Sequence, residues 1–257
     1  DAALNLIHAA YTAGHSDIAE VMVCMFGPTS DEYGFLHRGT RVRKMHSSYR
    51  STFRTIGDTP LATVKRGEIK NIKPEYNHRR KDRTVKILPY FSEKVSMVYY
   101  YPHMQADIID TLIDNGYEGI IIVGTGLGHV NKELYPALER AKEKGVHVYM
   151  TLQTIWGYVH MFVYDTGRDM MAKGVVPSGN MLPEVAFIKL GWAMGMVENE
   201  EKESGIKFSK EEKTEKVKDL MLSPVNDEIT EREPYNGYLV YQGGVPEVEN
   251  FIRKFRK

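Results

Sequence analysis

The run Leu36-His37-Arg38-Gly39-Thr40-Arg41-Val42-Arg43-Lys44-Met45-His46-Ser47-Ser48 sets Lys44 among several other basic groups. Read as a half-buried strand, it places Thr40, Val42, Lys44 and His46 on the less charged face, and Arg41, Arg43 and Met45 on the other. Making a lysine of ordinary pKa about 10.4 half neutral at pH 7 costs roughly 4 to 5 kcal/mol, which burial and neighbouring like charge can supply together. A neutral lysine so placed is a general base. The plainer alternative is one solvated charge on a basic strand.

Other chemistry-bearing residues gather farther along. The segment Gly124-Thr125-Gly126-Leu127-Gly128-His129 has the look of a phosphate-binding turn, but the third glycine of G-x-G-x-x-G falls on His129 and no acid marks the end of the next strand. A tight strand-to-helix turn accounts for its glycines. His37, His46, His103, His129, His147 and His160 nowhere pair with cysteine or acid at metal-ligand spacing, so structural histidines are expected in place of a zinc site. Cys24, the single cysteine, lies in the apolar run 21–26 and reads as a core thiol. No Gly-x-Ser-x-Gly word marks a serine hydrolase.

The elements that must position these groups come from periodicity and breakers. The chain has 257 residues, 42% hydrophobic and 26% charged, enough for one large or two modest domains. Its 34 basic and 34 acidic residues cancel, so any contact with RNA has to be local. No apolar run nears the roughly 20 residues of a membrane span, and no basic-then-apolar leader opens the chain, which points to the cytoplasm with no membrane partner. Asp1 reads as a cap on a helix carrying Ala3, Leu4, Ile7 and Tyr11 at helical spacing, as if the chain were cut in mid-domain. A buried strand over 20–26, turn formers over 27–32, the Lys44 strand and a short strand over 61–64 follow. Residues 65–92 read as a linker, with the basic cluster 77–83 as a solvated connector.

Beyond it, apolar runs over 95–101, 119–123 and 146–152 alternate with helices over 105–115, stopped by Gly116, and 132–144, stopped by Gly145 with Pro136 in the first turn. That order predicts an open parallel α/β sheet with right-handed crossovers and helices on both faces. Ligands of such sheets meet the carboxyl ends of the strands, where Pro102-His103, residues 124–129 and Gln153-Thr154 fall. A helix over 182–196 is apolar nearly all round. Residues 198–218 are expected as an exposed loop and then a helix with Val217, Leu220 and Met221 inward, and residues 238–257 as a final strand, turn and helix.

Two stretches carry a family resemblance. Residues 20–63 resemble the second half of the amino-terminal domain of the asparaginase and glutaminase superfamily, Arg41, Lys44, Ser47 and Phe53 filling its R-x-x-K-x-x-S/T-x-x-x-x-x-F pattern. The run Thr151-Leu152-Gln153-Thr154-Ile155-Trp156-Gly157-Tyr158-Val159-His160-Met161-Phe162-Val163-Tyr164-Asp165-Thr166-Gly167-Arg168-Asp169, with Met181-Leu182-Pro183-Glu184, resembles more narrowly the D subunits of archaeal glutamyl-tRNA(Gln) amidotransferases. Tyr158 and Phe162 stand where arginine and a polar residue are commoner there.

The resemblance implies an asparaginase-like α/β fold: residues 1–64 as the second half of the amino-terminal domain, 65–92 as linker, and 93–257 as the smaller, parallel-sheet carboxyl-terminal domain. It implies a glutaminase that releases ammonia for conversion of Glu-tRNA(Gln) to Gln-tRNA(Gln) as one subunit of an amidotransferase, the alternatives being a free-standing L-asparaginase or a non-catalytic scaffold. Lys44 would be the catalytic lysine that helps activate a threonine nucleophile, supported by Arg41, Arg43 and Ser47. Gly126, His129, Gln153 and Thr154 would face a neighbouring subunit's substrate pocket. No cofactor is expected on this chain; ATP and Mg would be used by the partner E subunit of the amidotransferase, which would also supply most contacts to Glu-tRNA(Gln), and the chain would form a homodimer within a heterotetramer. The family's T-G-G-T-like and H-G-T-D-T words have no match here, so these 257 residues alone are expected to be inactive.

Overall fold

The computed structural model describes residues 2–27, 32–48, 52–82 and 84–232; the Asp1 cap and the elements expected over 238–257 lie outside them. Residues 1–85 belong to one compact unit and 86–231 to another.

The first unit contains α1 (Ala2–His15), β1 (Met22–Phe26), β2 (Gly34–Arg38), β3 (Val42–Lys44), β4 (Phe53–Thr55), β5 (Ala62–Lys65) and β6 (Glu68–Asn71). Its main sheet has the order β1-β2-β5-β6 and is antiparallel throughout, with Cys24 opposite Leu36 and Leu36 opposite Ala62. Ile18, Leu36, Leu61, Ala62 and Val64 form its core. The expected helix is present, but Leu4 and Ile7 on its apolar stripe are exposed while His8 and Thr12 are buried.

The single strand expected around Lys44 is divided. A turn over 39–41, in which the Arg41 amide donates to the Arg38 carbonyl at 3.0 Å, ends β2 and starts a separate two-stranded ribbon of β3 and β4. At Gly39 a Cβ would stand 3.0 Å from the Val21 carbonyl oxygen, so a side chain there would have to push the Val21 backbone aside by a few tenths of an ångström. Lys44 therefore lies at the end of a three-residue strand and is exposed, not half-buried; the fully buried cations of that run are Arg38 and Arg41.

Polarity also conceals an edge strand in the stretch expected as linker. β5 and β6 are joined by a two-residue turn with Arg66 at φ 45° and Gly67 at φ 84°, a positive-φ pair that matches the twist of a hairpin. β6 sits at the edge of its sheet, where a strand with one buried side at most is written largely in polar residues.

The second unit follows its expected order: β7 (Val95–Tyr99), α2 (Asp107–Asp114), β8 (Gly119–Gly124), a 3-10 turn (Lys132–Leu134) running into α3 (Tyr135–Lys144), and β9 (His147–Leu152). Then come α4 (Asp165–Ala172), β10 (Val175–Pro177), α5 (Pro183–Ser204) and α6 (Lys210–Leu222). The sheet has the order β10-β9-β8-β7 and every pair is parallel, Ile121 lying between Met97 and Tyr149. All six residues of β8 are buried, because helices cover both faces of a parallel sheet. On one face Ile120, Ile122, Val148 and Met150 meet Ile109, Leu134 and Leu138; on the other Ile121, Val123 and Tyr149 meet Leu190, Met194, Val217 and Met221.

α5 runs farther than its apolar stretch. It continues through the charged residues 198–204 and stops at Gly205, φ 70°, so the loop expected after residue 198 is only 205–209. Ser209 and Glu212 then form a capping box that starts α6, whose inward residues are Val217 and Met221, buried, and Leu220, partly buried against the same cluster. Among the described residues no helix is long and apolar enough to cross a membrane.

Candidate functional site

The carboxyl ends of β8 and β9 bring Gly126, His129, Gln153 and Thr154 together. Thr125 and His129 close the turn from both sides, amide to carbonyl, at 3.0 and 2.9 Å, and the Gly128 amide donates to the Thr125 carbonyl at 2.9 Å. Gly126 at φ 54° and Gly128 at φ 101° supply the left-handed backbone this turn requires. Gly128 has a second reason: a Cβ there would stand 2.8 Å from Val159 Cγ1 and 2.9 Å from Met150 Cγ.

Gln153 ties strand ends together. Its backbone amide donates to the Gly124 carbonyl at 2.9 Å, and its side-chain Nε2 donates to the carbonyls of Tyr100 at 2.5 Å and Val123 at 3.0 Å. Both amide protons are thus used within the chain, and Oε1 is the end left to accept from a ligand. Thr154 Oγ1 lies 3.5 Å from the Gly126 carbonyl.

His129 is held by two residues that the sequence reading did not single out. Its Nδ1 lies 3.1 Å from Thr166 Oγ1, and Tyr164 meets the ring edge-on at 5.5 Å between centroids. Its Nε2 is buried without a hydrogen-bond partner. The segment bearing these contacts is pinned as well: the Val159 amide donates to the Gly179 carbonyl at 2.9 Å, and the His160 amide to the Leu127 carbonyl at 3.0 Å. Beside His129 the run Phe162, Val163, Tyr164 is more than half exposed at each position. The one clue in the sequence was that all these residues belong to the run 151–169.

In the first unit, Lys44 stands opposite Phe53 across the β3–β4 ribbon, its Nζ 6.0 Å from the ring centroid, and Arg43 stands opposite Arg54. Arg41 is fully buried and its carbonyl accepts from the Ile56 amide at 2.8 Å. Ser47 is exposed in the bend after the ribbon. His37 Nδ1 lies 2.9 Å from Thr55 Oγ1; burial, with the charge of Arg54, pushes the imidazole down to about 4, so it is neutral. Next to it Arg38 grips Glu20 with two parallel bonds, Nε to Oε2 at 2.5 Å and a terminal nitrogen to Oε1 at 2.7 Å. Asp58 stands 3.6 Å from the same guanidinium and accepts from Lys73 Nζ at 2.6 Å. This two-bond grip fixes the end of β2, from which the ribbon departs. Among the described residues no three His, Cys, Asp or Glu side chains stand close enough to hold a metal ion.

Comparison with known proteins places these features. A family model described as "Asparaginase, N-terminal" matches residues 1–78, and one described as "Glutaminase/Asparaginase C-terminal domain" matches residues 94–204, together well over half of the chain. The D subunit of glutamyl-tRNA(Gln) amidotransferase from Pyrococcus abyssi is 44% identical over 240 residues, 93% of this chain and 51% of that protein. The D subunit from Thermococcus kodakarensis is 49% identical over 196 residues, 76% of this chain and 44% of that one. The chain thus spans about half the length of the curated relatives it matches. Among solved structures, the thermostable L-asparaginase from Thermococcus kodakarensis superposes with a TM-score of 0.72 at 24% identity, and L-asparaginase I from Vibrio cholerae with 0.70 at 27%. Each match covers 90% of this chain and 63% of the other.

Proposed function

The chain belongs to the asparaginase and glutaminase family, and from that premise we propose that it is part of the glutaminase of a tRNA-dependent amidotransferase, releasing ammonia from glutamine for the conversion of Glu-tRNA(Gln) to Gln-tRNA(Gln). The observation that carries the reading is the 44% identity to an amidotransferase D subunit over 93% of the chain, a span that takes in both the Lys44 ribbon and the loops at the carboxyl edge of the parallel sheet. Ammonia would pass to a partner E subunit, which would use ATP and Mg to activate the glutamate of the charged tRNA and would make most of the tRNA contacts. A homodimer of this chain within a heterotetramer, working in the cytoplasm, completes the proposal.

The proposed chemistry is acyl transfer through a threonine supplied from outside these 257 residues. Lys44 takes the threonine hydroxyl proton as the oxygen attacks the side-chain amide carbon of glutamine. Hydrogen-bond donors hold the tetrahedral oxyanion. The lysine then returns the proton to the departing nitrogen, ammonia leaves, and water hydrolyses the glutamyl ester to glutamate. The loop 124–129, with His129, Gln153 and Thr154, would close the substrate pocket of a neighbouring subunit.

A second reading is a free-standing L-asparaginase, favoured by the two solved structures that share the fold. Ammonia release from glutamine and from asparagine by the complete gene product, with and without the partner and glutamate-charged tRNA(Gln), separates them. Glutamine hydrolysis that rises with partner and charged tRNA is expected; strong asparagine hydrolysis by the protein alone would replace the proposal with the second reading.

A further inference from the structure

Lys189 is the one charged residue between Glu184 and Glu198 in α5, and it is 6% exposed. Its ammonium donates to the Ser223 carbonyl at 2.6 Å and to Glu228 Oε1, and Glu228 is 2% exposed. The Glu228 carboxylate also accepts from the Val225 amide at 2.9 Å and the Asn226 amide at 2.7 Å. An ion pair buried this deeply adds little stability over an apolar pair of similar volume, but parting it would leave a buried charge uncompensated, so it holds its two ends together. What it fixes is the return of the chain over residues 223–230.

Two residues past Glu228 that segment reaches the candidate site. The Thr230 amide donates to Asn180 Oδ1 at 3.0 Å, Asn180 Nδ2 donates to Thr230 Oγ1 at 2.8 Å, and the Tyr158 hydroxyl lies 3.4 Å from the same Oγ1. Ile229 fills the space over Gly179, where a Cβ would meet its Cδ1 at 2.9 Å. Asn180 and Gly179 flank the carbonyl that holds the Val159 amide, and the next amide, that of His160, holds the Leu127 carbonyl in the middle of the 124–129 loop. We propose that residues 223–230 are a strap, latched by Lys189 and Glu228, through which Thr230 acts as a positioning residue for the 124–129 loop and so for glutamine binding; the last step rests on the function proposed above.

The test uses the complete gene product with its partner and compares Thr230→Val, which keeps the shape and removes the hydroxyl, with Thr230→Ser, which keeps the hydroxyl. Amide hydrogen exchange is read at Val159, His160, Gly128 and His129, and glutamine kcat and KM are measured on the same samples. Thr230→Val should speed exchange at those four amides and raise KM roughly three- to tenfold, the weight of one hydrogen bond, with kcat nearly constant and Thr230→Ser behaving as wild type. The double variant Lys189→Met with Glu228→Gln, close in volume, should give the same pattern and also loosen residues 225–230. Unchanged exchange in both variants overturns the strap whatever the kinetics. Faster exchange with unchanged KM overturns the positioning role. If the wild type hydrolyses no glutamine, the proposed function falls, while exchange alone still decides whether the strap holds the loop.

Discussion

His37 and His147 are held as neutral rings, so acid acts on them through the unfolded chain. Burial, joined by the charge of Arg54 for His37 and of Lys213 for His147, brings each down to about 4. An unfolded histidine titrates near 6.5, so between pH 6.5 and 4 the unfolded chain binds more protons than the folded one. The stability these rings allow is fully present above about pH 6.5 and is lost as pH falls towards 4, up to about 3 kcal/mol for each. Thermal melts should therefore be level above pH 7 and drop steadily below 6.5, with His37→Asn making the drop shallower; a melting temperature that holds to pH 4.5 would contradict this. Lys44 is the opposite case. It is exposed at a strand end, so Lys44→Ala should change stability by no more than about 0.5 kcal/mol and leave partner binding intact. Glutamine hydrolysis by the complete gene product should nevertheless be lost, and unchanged turnover in that variant would remove Lys44 from the proposed mechanism.

At the scale of elements, α5 shows how two glycines let a backbone lie on a helix. The Ser92 amide donates to the Gly191 carbonyl at 2.9 Å, and one turn on, a Cβ at Gly195 would stand 2.5 Å from the Tyr90 carbonyl carbon and 2.6 Å from the Phe91 nitrogen. Gly195→Ala must push residues 90–92 off the helix, because backbone cannot move aside as a side chain end can. The expected loss is about 1 to 3 kcal/mol by urea unfolding, as for other overpacked sites, although alanine is the better helix former; a neutral or stabilising outcome would mean that this contact is not held in solution. The same spacing explains what could be read in advance. β7, β8 and β9 were legible because strands buried on both faces are continuous apolar runs, and α2 and α3 because glycines stop them. β10 is three residues ending in Pro177, too short for any period, and α4 carries Gly167 and four polar or charged residues in its first turn and a half. The position of the candidate residues at the carboxyl ends of the strands followed from the sheet topology. Its fastening did not, since Thr166 meets His129 across 37 positions and Thr230 meets Tyr158 across 72.

At the scale of the whole molecule, the two units differ in how much core holds them. Residues 86–231 enclose a parallel sheet between two apolar clusters, whereas the described part of residues 1–85 has one cluster built on five buried side chains. A sheet covered on both faces removes far more apolar surface from water, at about 25 cal/mol per Å², so the chain should not unfold in a single step. Cys24 makes this measurable, because it is the single cysteine and lies in β1 of the smaller unit. Burial pushes its thiol up to about 11, against about 8.5 in an unfolded chain, so at pH 8 the folded unit presents hardly any thiolate. Labelling of Cys24 at pH 8 should therefore rise at a lower urea concentration than the loss of far-ultraviolet helical signal, to which the helices α2 to α6 of the second unit together contribute far more than α1 of the first. Coincident midpoints for thiol labelling and helical signal would show instead that the units unfold as one, with stability that the cores described for each do not account for.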